Sequence, residues 1–506
     1  MKPRASALAA KNKVEHIDEY FRRGPFEMAR MGKIVVMRNN MTKEQQESYL
    51  KFHADRLPTL IAEIDAHIRG IINVVKRYHP LTILQRGYWE EVGPMLMSEN
   101  DEPETKESVI AQRMVDYVQS VIASVSPKAG GQPAVTDEAW GELVTHVEGL
   151  FDLINHGYVY CRTATWHLNG GGLPPGRHEF YVSSVLMWCN VTGHRYHHQE
   201  VEYLTELLVP HSTVFQRLWG IDAHGLVNGL GRVLDSLSRG LGESIIQMIE
   251  AQEDYQKVAI RAKAEANEAL LREKIASQKA DPSLRSAAGK IMGFDLFKVD
   301  DFLPEQLLRE LSWAPGECTN FIDGKDYSGW PTRIWPRTLR PFLAVEGSYY
   351  CFDVHSLFDH IYRVLQQIVL RLEPGYREAW NTGQKIASEA FPLKLFKKLC
   401  PGAKIVSSVF YQNREMDGLG HRKWCELDGL VCCDDHLFIV EVKARVFTLA
   451  PPEEGIDSYV KSIERLVFDP ADQAERFLLW LESEGTIDLF NDRHVKVGEL
   501  KRKYFA

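Results

Sequence analysis

The clearest pattern along the chain is an alternation of apolar and polar positions at residues 424–445, WCELDGLVCCDDHLFIVEVKAR. Two apolar, β-branched runs at 425–432 and 437–444 flank the polar pair Asp434 and Asp435. A strand, a short polar turn and a second strand form the signature of a β-hairpin. We therefore predict a hairpin here, with the two aspartates as the central residues of its turn.

This hairpin register brings two carboxylates together. Residues equally distant from the turn face each other, so Asp428 is expected opposite Glu441, and Glu426 opposite Lys443. Directly opposed residues share a face of the sheet, with Cβ atoms roughly 4.5–5.5 Å apart. Two facing carboxylates repel unless a cation neutralises them. One divalent cation could bind both, so the hairpin predicts a metal site.

Helical periodicity dominates the first half of the chain. Residues 1–50 contain one short strand pattern and are expected to form a loosely ordered terminus. From Thr42 the sequence TKEQ resembles a capping box, and an apolar stripe follows it. That stripe comprises Leu50, Phe52, Leu57, Leu60, Ile61, Ile64 and Ile68. Further helices are predicted over 104–126, 136–156 and 198–220.

Residues 243–280 lack both glycine and proline and are rich in Ala, Glu and Lys. Strong helix formers over such a length predict a continuous rod of roughly 57 Å, at about 1.5 Å per residue. Its heptads are irregular, which favours a spacer or bundle helix over a coiled-coil dimer. The helical region could also mediate assembly into a homo-oligomer or binding to a partner protein, and the sequence does not decide between these alternatives.

A connector at 286–340 combines tryptophans with basic residues, as in YSGWPTRIWPRTLRP. This mixture suits stacking on bases and neutralising phosphates. Packing of aromatic side chains inside the protein explains it equally well. A hairpin turning at Glu346 and Gly347 follows, and then a helix over 352–372.

Composition limits which partners and which cellular compartment the sequence predicts. The chain has 506 residues, 44% of them hydrophobic and 25% charged, with a formal net charge of −9. Any nucleic acid must therefore meet a local basic surface. Eight cysteines without a CxxC motif favour reduced thiols in the cytoplasm and argue against zinc in the hairpin. With no signal-peptide core and no apolar run of about twenty residues, we expect no membrane association.

The string ELDG, twelve residues and then EVK resembles the metal-binding core of the PD-(D/E)xK phosphodiesterase superfamily, the restriction-endonuclease-like nucleases. The resemblance implies that Asp428 and Glu441 hold Mg²⁺, with Mn²⁺ as a substitute and the Val442 carbonyl as a third ligand. It also implies that Lys443 orients or activates the attacking water. The proline that often precedes the family's aspartate is Leu427 here.

Two flanking helices extend this resemblance. Family members usually carry a glutamate on the helix before the first core strand, and residues 382–399 offer Glu389 at this place. The resemblance implies that Glu389 is an accessory catalytic group and a further metal ligand. Ile386, Ala390 and Leu393 are expected on the apolar face of that helix, and Pro392 is expected to interrupt it.

A second helix is expected after the hairpin. Asp469 and Pro470 are predicted as its N-cap and first residue, and Ala474, Phe477, Leu478 and Leu481 as its apolar face. Gln473 resembles the glutamine that related nucleases place beside the metal or phosphate, although an exposed helical amide explains it equally well.

The sequence predicts a protein of more than one domain. An α-helical region at 1–285 is followed by the connector and by a C-terminal α/β restriction-endonuclease-like domain at 341–506, with a mixed central sheet flanked by helices. The resemblance implies a Mg²⁺-dependent endonuclease acting on nucleic acid, DNA rather than RNA, in the manner of bacterial restriction or phage-defence proteins. The alternative is a non-catalytic scaffold that binds nucleic acid and retains the nuclease fold.

Overall fold

The computed structural model describes residues 18–31, 34–97, 106–128, 134–170, 177–190, 197–353, 357–416, 422–444, 447–448 and 450–501. The protein is mostly helical and contains three sheets. It divides into two compact units, Met1–Ala66 with Gly149–Ser184, and His67–Glu148 with Val185–Ala506. The domain boundaries predicted near residues 285 and 340 stay a prediction. No helix within the described ranges is both long and apolar enough to cross a membrane.

An antiparallel meander opens the first unit. Its strands are β1 (Glu19–Arg23), β2 (Phe26–Met31) and β3 (Ile34–Asn39). The prediction of a single strand here was wrong. All five β1 side chains are exposed, so no apolar alternation marks that strand in the sequence. Residues 1–17 lie outside the described ranges.

The capping box at Thr42 is confirmed. The Thr42 amide donates to Gln45 Oε1 at 3.0 Å, and the Gln45 amide donates to Thr42 Oγ1 at 3.2 Å. Two N–H groups that the first turn of a helix leaves without partners are thereby satisfied. Helix α1 (Lys43–Val75) follows. Its predicted stripe is buried at Leu57, Leu60, Ile64 and Ile68, whereas Phe52 is exposed.

Eleven further α-helices follow in the described part of the chain before residue 300. They are α2 (Pro80–Met97), α3 (Lys106–Ser124), α4 (Asp137–Leu153), α5 (Val159–Leu168), α6 (Arg177–Asn190), α7 (His197–Leu208), α8 (Ser212–Trp219), α9 (Ala223–Ser238), α10 (Gly240–Ala264), α11 (Glu268–Ala280) and α12 (Pro282–Met292). The predicted helices over 104–126, 136–156 and 198–220 correspond to α3, α4 and the pair α7 and α8.

The predicted 38-residue rod does not exist, because the chain reverses between α10 and α11. Ala266 adopts a left-handed φ of 49°, and the Asn267 side chain caps α11 by accepting from the Ala269 amide. Gln278 Nε2 donates to the Ala251 carbonyl at 2.7 Å, so α11 packs back along α10. The helix propensities of these residues favour one long helix and two shorter antiparallel helices equally. The packing of α11 against α10 decides between the two arrangements.

The basic and aromatic connector is largely interior. Trp330 is fully buried and Trp335 nearly so. The Arg337 guanidinium is buried between Asp116 Oδ2 at 3.0 Å and Asp353 Oδ2 at 2.6 Å. A buried arginine persists when carboxylates pair with it. The structure therefore supports the packing alternative for these side chains.

Short elements complete the connector. They are α13 (Glu305–Leu311), β4 (Ser312–Trp313), α14 (Pro336–Leu339), β5 (Phe342–Val345) and β6 (Ser348–Tyr350). The hairpin predicted at Glu346 and Gly347 is confirmed, with φ values of 52° and 83°.

The last 150 residues carry the predicted helix-flanked sheet. Its elements are α15 (Leu357–Leu372), α16 (Arg377–Leu399), β7 (Lys404–Met416), β8 (Arg422–Cys433), β9 (His436–Val440), α17 (Pro452–Ile463), α18 (Asp469–Glu484), β10 (Thr486–Phe490) and β11 (Lys496–Lys501). The strand order is β11-β10-β7-β8-β9. Every described pairing in it is antiparallel, so the expected mixed sheet was wrong.

Helices α16 and α18 pack on this sheet. Phe477, Trp480 and Leu481 of α18 join the core formed by the strands. On α16, Leu393 lies so close to Gly429 that a Cβ there would be 2.6 Å from Leu393 Cδ2. Glycine at residue 429 therefore allows the helix to approach the hairpin closely.

Pro392 does not interrupt α16, contrary to the prediction. A proline inside a helix costs about 3 kcal/mol. Helix α16 nevertheless continues through Pro392, and the next residue, Leu393, packs against Gly429 of the sheet. The predicted apolar face was also wrong in part, because Ile386 and Ala390 are exposed while Leu393 is buried. The buried face carries Trp380 and Gln384 instead.

Asp469 is not an N-cap. Helix α17 continues through a π-helical turn, Glu464–Phe468, directly into α18, and Phe468 is helical. Pro470 has no N–H and its ring crowds the preceding turn, which a wider turn accommodates. The predicted buried positions Phe477 and Leu481 are confirmed.

Candidate functional site

The predicted hairpin register is confirmed. Strands β8 and β9 pair from Cys433 with His436 to Gly429 with Val440, with the two aspartates as the turn. Asp434 adopts a left-handed φ of 51°, which aspartate tolerates better than most residues. The second strand was expected to reach residue 444 but ends at Val440. Asp428 lies within β8, whereas Glu441 and Lys443 follow the end of β9. The predicted pairs of Asp428 with Glu441 and of Glu426 with Lys443 therefore lie beyond the observed ladder.

Asp428 lies where this ladder ends. Its Oδ2 accepts a hydrogen bond of 2.6 Å from the Val442 amide. A side-chain carboxylate thus satisfies a backbone donor that the shortened strand leaves without a partner. On the other neighbouring strand, Ser407 pairs with Gly429 and Val409 with Leu427.

Ser408 stands between those two pairs, opposite Asp428, and has a left-handed φ of 48°. A non-glycine residue in this conformation costs of order 1–3 kcal/mol and persists only when its surroundings hold it. The sequence alone did not single out Ser408. The strained position interrupts the β7–β8 ladder next to the candidate metal ligand.

Glu441 carries a deeply buried carboxylate. Its side chain is 6% exposed, and its Oε1 has no hydrogen-bond partner among the described residues. Burial first, and then the negative charges of Asp428 and Glu426, raise its pKa to about 7, although Lys443 opposes this shift. A buried carboxylate oxygen without a donor, close to a second carboxylate, is suited to receive a cation.

Lys443 joins the hairpin to α18. Its Nζ lies 3.6 Å from Glu441 Oε2 and donates to Gln473 Oε1 at 2.5 Å. The structure therefore brings the predicted Gln473 directly to the predicted catalytic lysine. Gln473 is half-buried, which disfavours the alternative of an exposed helical amide. Lys443 is therefore held by the Glu441 carboxylate and by the Gln473 amide oxygen at the same time.

Glu389 on α16 lies close enough to the candidate site for the charge of Asp428 to affect its pKa. Burial first, and then the charge of Asp428, raise its pKa, whereas Lys385 at 3.6 Å lowers it. The predicted accessory glutamate is thus within electrostatic range of Asp428, the predicted metal ligand.

Glu426 was not predicted as a site residue, yet its charge raises the pKa of both Glu389 and Glu441. Glu426 and Asp428 are two residues apart on one strand, so their side chains are expected on the same face. That spacing could have identified Glu426 from the sequence.

The residues present fit a divalent cation held by two carboxylates. Within the described ranges, no group of three or more His, Cys, Asp or Glu side chains is arranged to hold a metal. Mg²⁺ commonly uses one or two carboxylates and keeps several waters, so Asp428 and Glu441 suffice as protein ligands. The role of the Val442 carbonyl stays a prediction. The eight cysteines, all in described segments, are free thiols.

No protein-family model, curated protein or solved structure matches the chain. The resemblance to the PD-(D/E)xK nucleases therefore rests on the residues of the site and their arrangement. Membership of that superfamily stays a prediction.

Proposed function

We propose that the protein is a divalent-metal-dependent nuclease that hydrolyses phosphodiester bonds of nucleic acid. The observation that carries the proposal is the buried Glu441 carboxylate, which lies within electrostatic range of Asp428, with Lys443 bridging Glu441 and Gln473. Such a cluster of acids around one lysine resembles the metal-binding core of the PD-(D/E)xK enzymes.

Each residue has a distinct part in this proposal. Asp428 and Glu441 hold Mg²⁺ or Mn²⁺, which when bound neutralises developing charge on the phosphate and makes water more acidic. The Val442 amide fixes the orientation of the Asp428 carboxylate. Gln473 positions the Lys443 ammonium, whose remaining N–H donors can hold the attacking water or a phosphate oxygen. Glu389 adds negative charge from α16.

The substrate class follows from the resemblance and from charge. With a net charge of −9, the chain has no general attraction for polyanions, so the site itself must secure the phosphate. DNA is the preferred substrate and RNA the second. Eight free thiols suit activity in a reducing, cytoplasmic compartment. Restriction or phage defence is the biological setting that the resemblance suggests.

Cleavage of supercoiled plasmid and of single-stranded RNA, in Mg²⁺, Mn²⁺ or EDTA, tests the proposal. The wild-type protein is expected to cut plasmid in either metal but not in EDTA, and Asp428→Ala is expected not to cut. Asp435→Ala is the matched control, since it removes an exposed aspartate from the turn of the same hairpin. Cutting by Asp428→Ala at the wild-type rate would contradict the proposal. Binding without cutting in any metal would favour the scaffold alternative.

A further inference from the structure

A cavity of about 210 Å³ opens beside the candidate metal site. It lies among α7, α15, α16 and the segment that follows β9, all within the second compact unit. Its described lining includes Glu200, Tyr203, Asp359, Arg363, Gln384 and Lys443.

Lys443 belongs to both the cavity and the metal site. It lines the cavity while its Nζ contacts Glu441 and Gln473. Ser388, the neighbour of Glu389 on α16, lines the cavity as well. A ligand in this cavity would therefore lie next to the carboxylates that hold the cation.

Hydrogen bonds hold the cavity wall in place. Gln384 Nε2 donates to the Ala444 carbonyl at 3.2 Å, and Gln384 Oε1 accepts from Gln366 Nε2 at 3.4 Å. These bonds join α15, α16 and the segment after β9. On the outer side, Lys394 and Lys398 of α16 form ion pairs with Glu206 and Glu202 of α7. The cavity is therefore formed before any ligand binds, which is typical of binding sites.

The lining fits a flat, neutral ligand with hydrogen-bonding edges. Four aromatic side chains contribute apolar surface, namely Tyr203, Phe358, Tyr362 and Phe447. Among the described lining residues, the acids Glu200 and Asp359 balance the formal charge of Arg363 and Lys443. A phosphate would meet two carboxylates there, which disfavours it. A nucleobase stacks on aromatic rings and hydrogen-bonds through its edge to carboxylate and guanidinium groups.

We propose that this cavity takes one unstacked nucleobase of the strand whose phosphodiester lies at Asp428 and Glu441. This inference rests on the proposed nuclease function and narrows its substrate. A base can enter the cavity only from a single strand or after it has left the helical stack. The preferred substrate is therefore single-stranded or locally unpaired DNA, and Tyr203 at the cavity wall is the residue on which the base stacks.

Binding of short single-stranded DNA in EDTA tests the inference without requiring cleavage. The probes are a fluorescein-labelled tetranucleotide and the same backbone with abasic residues in place of all bases. The wild-type protein is expected to bind the intact probe roughly tenfold more tightly, a difference typical of one stacked base. Tyr203→Ala is expected to reduce that ratio to about twofold, with the affinity for the abasic probe unchanged.

Two further variants make the test specific. Tyr203→Leu keeps an apolar contact with Phe391, whose ring centroid is 5.5 Å from that of Tyr203, but removes the stacking surface. It should lose the preference for the intact probe as Tyr203→Ala does. Tyr160→Ala removes a similarly exposed tyrosine outside the cavity and should keep the preference.

Equal wild-type affinity for both probes would overturn the inference, as would an unchanged preference in both Tyr203 variants. If plasmid is nevertheless cut in Mg²⁺, the nuclease proposal survives that result. If neither probe binds and no cutting occurs, both proposals are overturned.

Discussion

The Val442 amide donates a 2.6 Å hydrogen bond to Asp428 Oδ2 at the point where the hairpin ladder ends. The bond couples a backbone group that follows β9 to a side chain on β8. One carboxylate oxygen of Asp428 is thereby oriented by the fold itself. The charge of the same carboxylate reaches Glu441 and Glu389, whose pKa values it raises.

Asp428→Asn is expected to abolish plasmid cleavage, with a loss of at least about 100-fold, because a neutral amide is a poor ligand for Mg²⁺. The amide oxygen can still accept from Val442, so the thermal unfolding temperature should change little. The pKa of Glu441 should fall, since a neighbouring negative charge is gone. Titration of labelled glutamate carboxyls by NMR measures this shift. An unchanged pKa of Glu441 would contradict the electrostatic coupling, and Asp435→Asn is the control.

Glu441→Gln is expected to remove activity and to stabilise the metal-free protein at neutral pH. The folded state holds the Glu441 proton more tightly than the unfolded state, because its pKa is about 7 rather than 4.5. This carboxyl therefore lowers the free energy of unfolding as the pH rises from about 4.5 to about 7. Melting curves in EDTA across that range should show the wild-type protein losing stability relative to Glu441→Gln. A constant difference between the two would contradict the assignment.

The apparent affinity for Mg²⁺ should rise as the pH increases through about 7, since Glu441 must lose its proton to bind the cation. Isothermal titration calorimetry at several pH values measures the affinity and the proton release. Asp435→Asn should show the same dependence as the wild-type protein. An affinity that does not vary between pH 6 and pH 8, about one unit either side of the pKa of Glu441, would contradict this prediction.

Gln473→Ala is expected to reduce cleavage by roughly tenfold, less than Lys443→Ala, because Gln473 acts by positioning Lys443. Gln473→Glu keeps an acceptor for the lysine and adds a negative charge beside it. The pH profile of cleavage should therefore shift to higher pH in Gln473→Glu, because an added negative charge makes protons in the site harder to remove. A merely structural role for Gln473 would leave that profile in place. Glu475→Ala, an exposed change on the same helix, is the control.

Arg337→Met is expected to destabilise the protein by about 3–5 kcal/mol, because it removes the buried cation that Asp116 and Asp353 share, although Arg113 still lies 3.3 Å from Asp116 Oδ2. Arg309→Met breaks an exposed pair with Glu305 at 2.9 Å and should cost less than about 1 kcal/mol. Chemical denaturation followed by tryptophan fluorescence measures both. Equal effects of the two substitutions would contradict a structural role for the connector arginine.

Local rules were enough to predict several features. The Thr42 capping box, the turn at Glu346 and the β8–β9 register each depend on residues that are close in sequence. The register followed from alternation and from a two-residue turn, and it is observed as far as the pair Gly429 and Val440, one residue short of Asp428 and Glu441. Turn chemistry and strand periodicity act over a few residues, so the sequence carries them directly.

Other features required the three-dimensional packing. The reversal at Ala266, the helix continuing through Pro392 and the early end of β9 all run against local preference. Each is decided by what the segment packs against, since intrinsic propensities amount to at most a few kcal/mol. The strained Ser408 and the charge of Glu426 likewise matter only because β7, β8 and α16 meet.

The sequence by itself predicted the candidate residues: Asp428 and Glu441 from the spacing of the hairpin strands, and Lys443 from the resemblance to the PD-(D/E)xK motif. The tertiary structure decided how those groups behave. Burial raises the pKa of Glu441, α18 brings Gln473 to Lys443, and α7, α15 and α16 enclose the neighbouring cavity. Desolvation and contacts between distant segments depend on the folded arrangement of the whole unit, and no local pattern encodes them.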